Sequence, residues 1–104
     1  MKKHPNEFTL HQIRKFFRGN GLEAGVNAIE GGYVVFFRRF SAIEACDVSE
    51  PAGRLIYDQG RELWKLYWMS GRSRWHIYDR YPRLEMALDE MLSDHAAHLF
   101  QKVL

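Results

Sequence analysis

The stretch Glu62–Pro82, ELWKLYWMSGRSRWHIYDRYP, holds all three tryptophans of the chain and three of its five tyrosines, laced with arginines. Ser70-Gly71 interrupts it, and a glycine there supplies the turn that a hairpin needs. The stretch is therefore expected to form two antiparallel strands, Glu62–Met69 and Arg72–Asp79. Strand side chains alternate between faces. Trp64, Leu66 and Trp68 point one way, and Leu63, Lys65, Tyr67 and Met69 the other. In the second strand Ser73, Trp75, Ile77 and Asp79 oppose Arg72, Arg74, His76, Tyr78 and Arg80. Grouped by chemistry, Trp64, Leu66, Trp68, Trp75 and Ile77 make an apolar face suited to helix packing. The reverse face then gathers Lys65, Tyr67, Arg72, Arg74, His76 and Tyr78. Arg38 or Arg39 would flank it, since parity admits only one of the two.

Working outward, Arg54–Asp58 reads as a further strand, joined to the hairpin by Gln59-Gly60-Arg61. Tyr33–Phe40, YVVFFRRF, is apolar on both faces, which suits a central strand covered on both sides. Gly31-Gly32 separates it from a weaker strand at Ala24–Ile29 and offers the positive φ of a hairpin turn. Ser41–Gly53 is small and acidic and ends in Pro51-Ala52-Gly53, so it reads as a connection. Upstream, Leu10, Ile13, Phe16 and Phe17 recur at helical spacing, with Phe8 extending the stripe. Asn6 is the candidate cap and Gly19-Asn20-Gly21 the stop. After Pro82 a helix carries Leu84, Ala87, Leu88, Met91 and Leu92. Ser93-Asp94 breaks it or leads into a second stripe of Ala96, Leu99, Phe100 and Val103. Short connections favour antiparallel neighbours. The expected class is α+β: a five-stranded antiparallel meander with an N-terminal and a C-terminal helix packed on one face, in a single domain over residues 1–104.

The spacing of Trp64, Lys65, Leu66, Tyr67 and Trp68, then Trp75, His76 and Tyr78, followed by a helix with Leu84 and Leu88 and by Asp94, resembles the C-terminal part of a bacterial family, domain of unknown function family 3024. The likeness covers about residues 53–94. The turn MSGRSR is less charged than the family's turn, and HAAHLFQKVL lacks its aromatic-glycine ending. The resemblance implies a small bacterial domain and brings no established activity.

Composition narrows the function classes. With 46% hydrophobic and 14% aromatic residues in 104, the chain is globular rather than disordered. The net charge is only +2 but is distributed in blocks. Residues 1–40 carry seven Lys/Arg against three acids, and residues 61–83 six against two. Residues 41–60 and 84–104 each carry one against four. If the basic blocks share a face, the domain has a basic side. One cysteine excludes an internal disulfide, and no stretch approaches a membrane span or a signal peptide. A cytoplasmic protein is expected, with no membrane contact and no cofactor.

No P-loop, dinucleotide fingerprint or zincin motif is present. His76 beside Arg74, Tyr78 and Asp79 has the residue types of an acid–base set, and equally those of a histidine bonded across strands. Asp94, His95 and His98 place two imidazoles on one helix side, a weak candidate metal site whose further ligands, Cys46 or His4, are remote in sequence. Cys46 lies among acids, which raise a thiol's pKa. Three readings follow. The first is a non-enzymatic binding or regulatory domain that contacts a protein partner or a second copy through an exposed sheet edge. The second is a nucleic-acid-binding domain using the Tyr/Arg/His face, where rings stack on bases and cations meet phosphates. The third is an enzyme or metal protein at His76 or His95/His98. Tyrosines beside Lys and Arg also stabilise ordinary solvated sheets.

Overall fold

The computed structural model describes residues 3–93, with side chains throughout that range except at 39–41. Helix α1 (Glu7–Gly19) starts where the sequence signals it: the Asn6 side-chain oxygen accepts the Thr9 N–H at 2.8 Å. It stops at Asn20, and Gly21 turns the chain at φ 79°. Ile13 and Phe17 are fully buried on its inner side, while Phe8, expected on the same stripe, is 66% exposed. Helix α2 (Leu84–Ser93) follows Pro82 and buries Leu84, Ala87, Leu88 and Met91. The second C-terminal stripe, and with it Asp94, His95 and His98, lies outside the described residues.

Five strands run β1 (Ala24–Ile29), β2 (Gly32–Ser41), β3 (Cys46–Asp58), β4 (Leu63–Met69) and β5 (Trp75–Tyr81). They pair antiparallel in chain order, a meander. Both helices pack on one side, α1 over β1 and α2 over β4 and β5. The core between them is closed from the sheet by Val26, Tyr33, Val35, Phe37, Leu55, Trp64 and Leu66. The α+β class and the one-sided placement of the helices are as the sequence implies. No helix of the described residues is long and apolar enough to cross a membrane.

Three expectations are corrected. Ser41–Gly53 is not a connection. From Cys46 it is the first half of β3, paired with the far end of β2. The proline that argued against a strand sits at a bulge: Val35 faces Gly53 and Phe36 faces Pro51, leaving Ala52 as the extra residue. β2 is a central strand as expected but is not fully covered on both sides: Val34 and Phe36 lie half-buried on the side away from α1 and α2. The third correction concerns β5. The link from β4 is not a two-residue turn but the loop Ser70–Arg74, closed by Ser70 N–H to Arg74 O at 2.8 Å and Ser73 N–H to Ser70 O at 2.9 Å. Met69 therefore faces Trp75, not Arg72. A displacement of three residues is odd, and an odd displacement moves every side chain to the other face.

The first hairpin turns at Glu30-Gly31, one residue earlier than expected, with Gly31 at φ 77°. Gly32 belongs to β2, and a side chain there would run into the Leu55 carbonyl of β3. The two glycines thus serve different needs, conformation at 31 and close approach at 32. Gly31→Ala should cost about 1 kcal/mol from left-handed strain. Gly32→Ala, which must push two backbones apart, should cost about 3 kcal/mol or prevent folding. Urea unfolding midpoints of the two variants check this ordering.

Candidate binding face of the sheet

Directly opposed residues of an antiparallel pair share a face, so the register assigns the helix-free side. Arg54 faces Tyr67, which faces Ile77; Ile56 faces Lys65, which faces Arg80; Met69 faces Trp75. The geometry agrees. The Arg54 guanidinium lies over the Tyr67 ring, 5.1 Å from its centroid, and 6.0 Å from that of Trp75. Its Nε is enclosed and has no hydrogen-bond partner among the described residues. Beside this group Lys65 Nζ is 3.7 Å from Asp58 Oδ2, and Ile77 is 42% exposed.

The expected site residues are therefore divided. Lys65 and Tyr67 lie on the helix-free face. Arg72 and Arg74 are exposed in the β4–β5 loop, at the rim of that face beside Trp75, with Ser73 between them at φ 59°. Arg38 lies on the same side further along β2, bridged to Glu23 at 3.2 Å, both side chains well exposed. Arg39 pairs with Val48 along the backbone, and its side chain lies outside the described ones. His76 and Tyr78 are on the opposite, helix side. His76 faces Trp68 and stacks on it, with centroids 5.0 Å apart and planes at 30°. Tyr78 is the bulged residue of β5, packs against the core and donates its hydroxyl to Glu90 at 3.4 Å. The tyrosine-histidine-arginine face is thus an arginine-tyrosine-tryptophan face.

Arg54 and Trp75 were missed by sequence reasoning. Arg54 is the first residue of the short strand the sequence suggests, where strand limits are uncertain. Trp75 goes with the core when the faces are grouped by chemistry, and the longer loop sets it on the other one. The signal for the longer loop was present: Ser70, Gly71 and Ser73 are three turn-forming residues ahead of Trp75.

The charged side chains of the open face are mostly cations. Among strand residues of the helix-free side, Arg38, Arg54, Lys65 and Arg80 meet Asp58 and, near the β2–β3 hairpin tip, Asp47. The helix side carries Asp79, which faces Leu66, and Glu85, Asp89 and Glu90 of α2, while α1 on the same side carries Arg14, Lys15 and Arg18. Tyr81 sits on that side opposite Trp64, and its phenol is held well above the usual range, first by burial and then by Glu90 and Asp79.

Besides a shallow one along His11, Arg14, Lys15 and Arg18 of α1, two further grooves lie elsewhere. One of about 320 Å³ separates α1, the β3–β4 turn and the start of α2, and is lined by His4, Gln12, Tyr57, Glu62, Trp64 and Arg83 among others. The His4 ring already packs edge-on against Tyr57 and Trp64 at 5.0 and 4.7 Å. The other, about 240 Å³ at the β1 edge, is rimmed by Arg14, Arg18, Glu23 and Arg38. Among the described residues no group of His, Cys, Asp and Glu could hold a metal ion.

A family model described as domain of unknown function (DUF3024) matches residues 2–101. The chain belongs to this family. The match extends well beyond residues 53–94, so α1 and the β1–β2 hairpin are part of the family pattern as much as the tryptophan strands are. No curated protein and no solved structure matches the chain. The family description names no activity, and the chemistry has to be argued from the face itself.

The raised phenol of Tyr81 has a consequence for stability. In the unfolded chain a tyrosine loses its proton near pH 10, whereas the folded protein holds it to higher pH. This contribution is complete below about pH 10 and is lost as pH rises toward the folded value. Urea midpoints measured from pH 8 to about pH 11 should fall more steeply for the native sequence than for Tyr81→Phe.

Proposed function

We propose that the protein is a single-domain, non-catalytic binding module, working in the cytoplasm, whose working surface is the helix-free face of its sheet. The observation that carries this reading is the Arg54 guanidinium lying over Tyr67 and Trp75 on an open face that both helices avoid. Ile77 exposes an apolar side chain there, and the flanking cations make the surface directional in charge. His76, the acid–base candidate, lies on Trp68 and lines none of the grooves described above, which favours binding over catalysis. The exposed, unpaired Cys46 suits a reducing compartment.

A second contact, with a partner protein or another copy, is favoured by one feature. β4 pairs with β3 only from Tyr67↔Arg54 onward, so Cys46–Gly53 is paired with β2 alone and its other side is an edge. An extended segment could add there as a strand.

Ile77→Ser tests whether the apolar residue serves the fold or a partner. Its cost in stability should stay under about 1 kcal/mol, as at other half-exposed positions. Amide shifts of the labelled protein, recorded with the protein and the nucleic-acid fractions of a cell extract in turn, should cluster on residues 54–56, 65–69 and 75–77. Shifts confined to the groove at His4 and Trp64 would move the working surface there.

A further inference from the structure

Resting on that reading of the face, we propose that its occupant is a single-stranded nucleic acid, with bases stacked on Tyr67 and Trp75 and with Arg54 as a displaceable cover that transfers to phosphate on binding.

Four observations converge on this occupant. The two rings stand on neighbouring strands of an antiparallel sheet, on the side that no helix of the described residues covers, an arrangement that offers flat apolar surfaces in a row. Only an unpaired strand can lay the faces of its bases on such rings, because a duplex keeps them stacked inside. Cations surround the rings: Arg54 and Lys65 on the face, Arg80 beyond Lys65, and Arg72 and Arg74 in the loop beside Trp75. The acid of this cluster, Asp58, is engaged by Lys65. A polyanion is complementary to that ring of charge. The fourth observation is the state of Arg54 itself. Its guanidinium rests on the two rings and its Nε is enclosed without a hydrogen-bond partner among the described residues. A buried donor left unpaired is unfavourable. Swinging the guanidinium from the rings to a phosphate oxygen gives Nε an acceptor and bares the ring faces for bases. The modest net charge does not oppose this, since Glu85, Asp89 and Glu90 lie on α2, away from the face.

The test is fluorescence anisotropy of labelled single-stranded DNA and RNA of mixed sequence, with matching duplexes, titrated with the full chain. Single strands should bind with quenching of tryptophan emission, and more tightly than duplex. Affinity should fall about 50-fold between about 50 and 200 mM salt, the slope of roughly four phosphate contacts on a single strand. Arg72→Ala with Arg74→Ala, both exposed loop residues, should reduce the log–log salt slope by about 1.4 and leave the fold unchanged. Trp75→Leu should weaken binding about tenfold or more. If Trp75→Leu does not fold, Arg54→Lys serves, keeping the charge but losing the planar cover and the fork. Equal affinity for duplex, or a salt slope that the double arginine variant does not change, would overturn the proposal. If neither DNA nor RNA binds at low salt while the protein fraction of an extract still shifts residues 54–77, the face is a working surface with a protein occupant and only this proposal fails. If no fraction shifts those residues, the reading of the face fails with it.

Discussion

The hydroxyl of Tyr33, next to the first hairpin turn, is buried on the sheet's helix side where water cannot serve it, and the N-terminal segment supplies its partners. The Asn6 N–H donates to it at 2.8 Å, His4 Nδ1 lies 2.9 Å away, and the Asn6 carbonyl is at 3.4 Å. A buried phenol must be satisfied, and here satisfying it fixes the residue that caps α1. The cap then sets where the helix begins, and so which turn of it presents Thr9, Ile13 and Phe17 to the sheet. His4 also packs against Tyr57 and Trp64, joining the β3–β4 hairpin to the same knot. The side of the sheet that α1 covers follows from this one group.

With both helices committed to that side, the other must be shielded by the strands' own side chains. The structure does this with long amphipathic ones. Arg54 lays its stem and guanidinium across Tyr67 and Trp75, and Lys65 reaches along the sheet to Asp58. Such side chains cover apolar area while keeping charge near water. They are also easily displaced, unlike the packed leucines of the helix side. A surface that is stable when vacant and readily uncovered suits transient contact.

The limits of the sequence reading are physical. Asn6, Gly21 and the stripes of both helices were legible because caps and helical periodicity are local. The existence of β4 and β5 was legible for the same reason. Pro51 misled because its acceptability depends on a bulge formed with Phe36, a residue on another strand. The face of Trp75 and of His76 was not legible, because parity within a strand does not set parity between strands. That relation is settled by the hydrogen bonds of Ser70 and Ser73 inside the loop. The tryptophans accordingly have separate fates: Trp64 in the core, Trp68 beneath His76, and Trp75 on the open side.

The same loop restricts how the chain can vary. Ser70–Arg74 separates Met69 from Trp75, and the bulge at Tyr78 returns the end of β5 to a register in which Tyr81 faces Trp64. Gaining or losing one residue in the loop would exchange Trp75 and Ile77 with His76, leaving Tyr67 as the open side's one aromatic ring among these positions and setting an imidazole beside it. Two residues would leave both sides intact. Length changes at this hairpin are therefore compatible with the protein's surface chemistry only in even steps, and a single-residue change has to be matched by removal of the bulge if Tyr81 is to stay beneath α2.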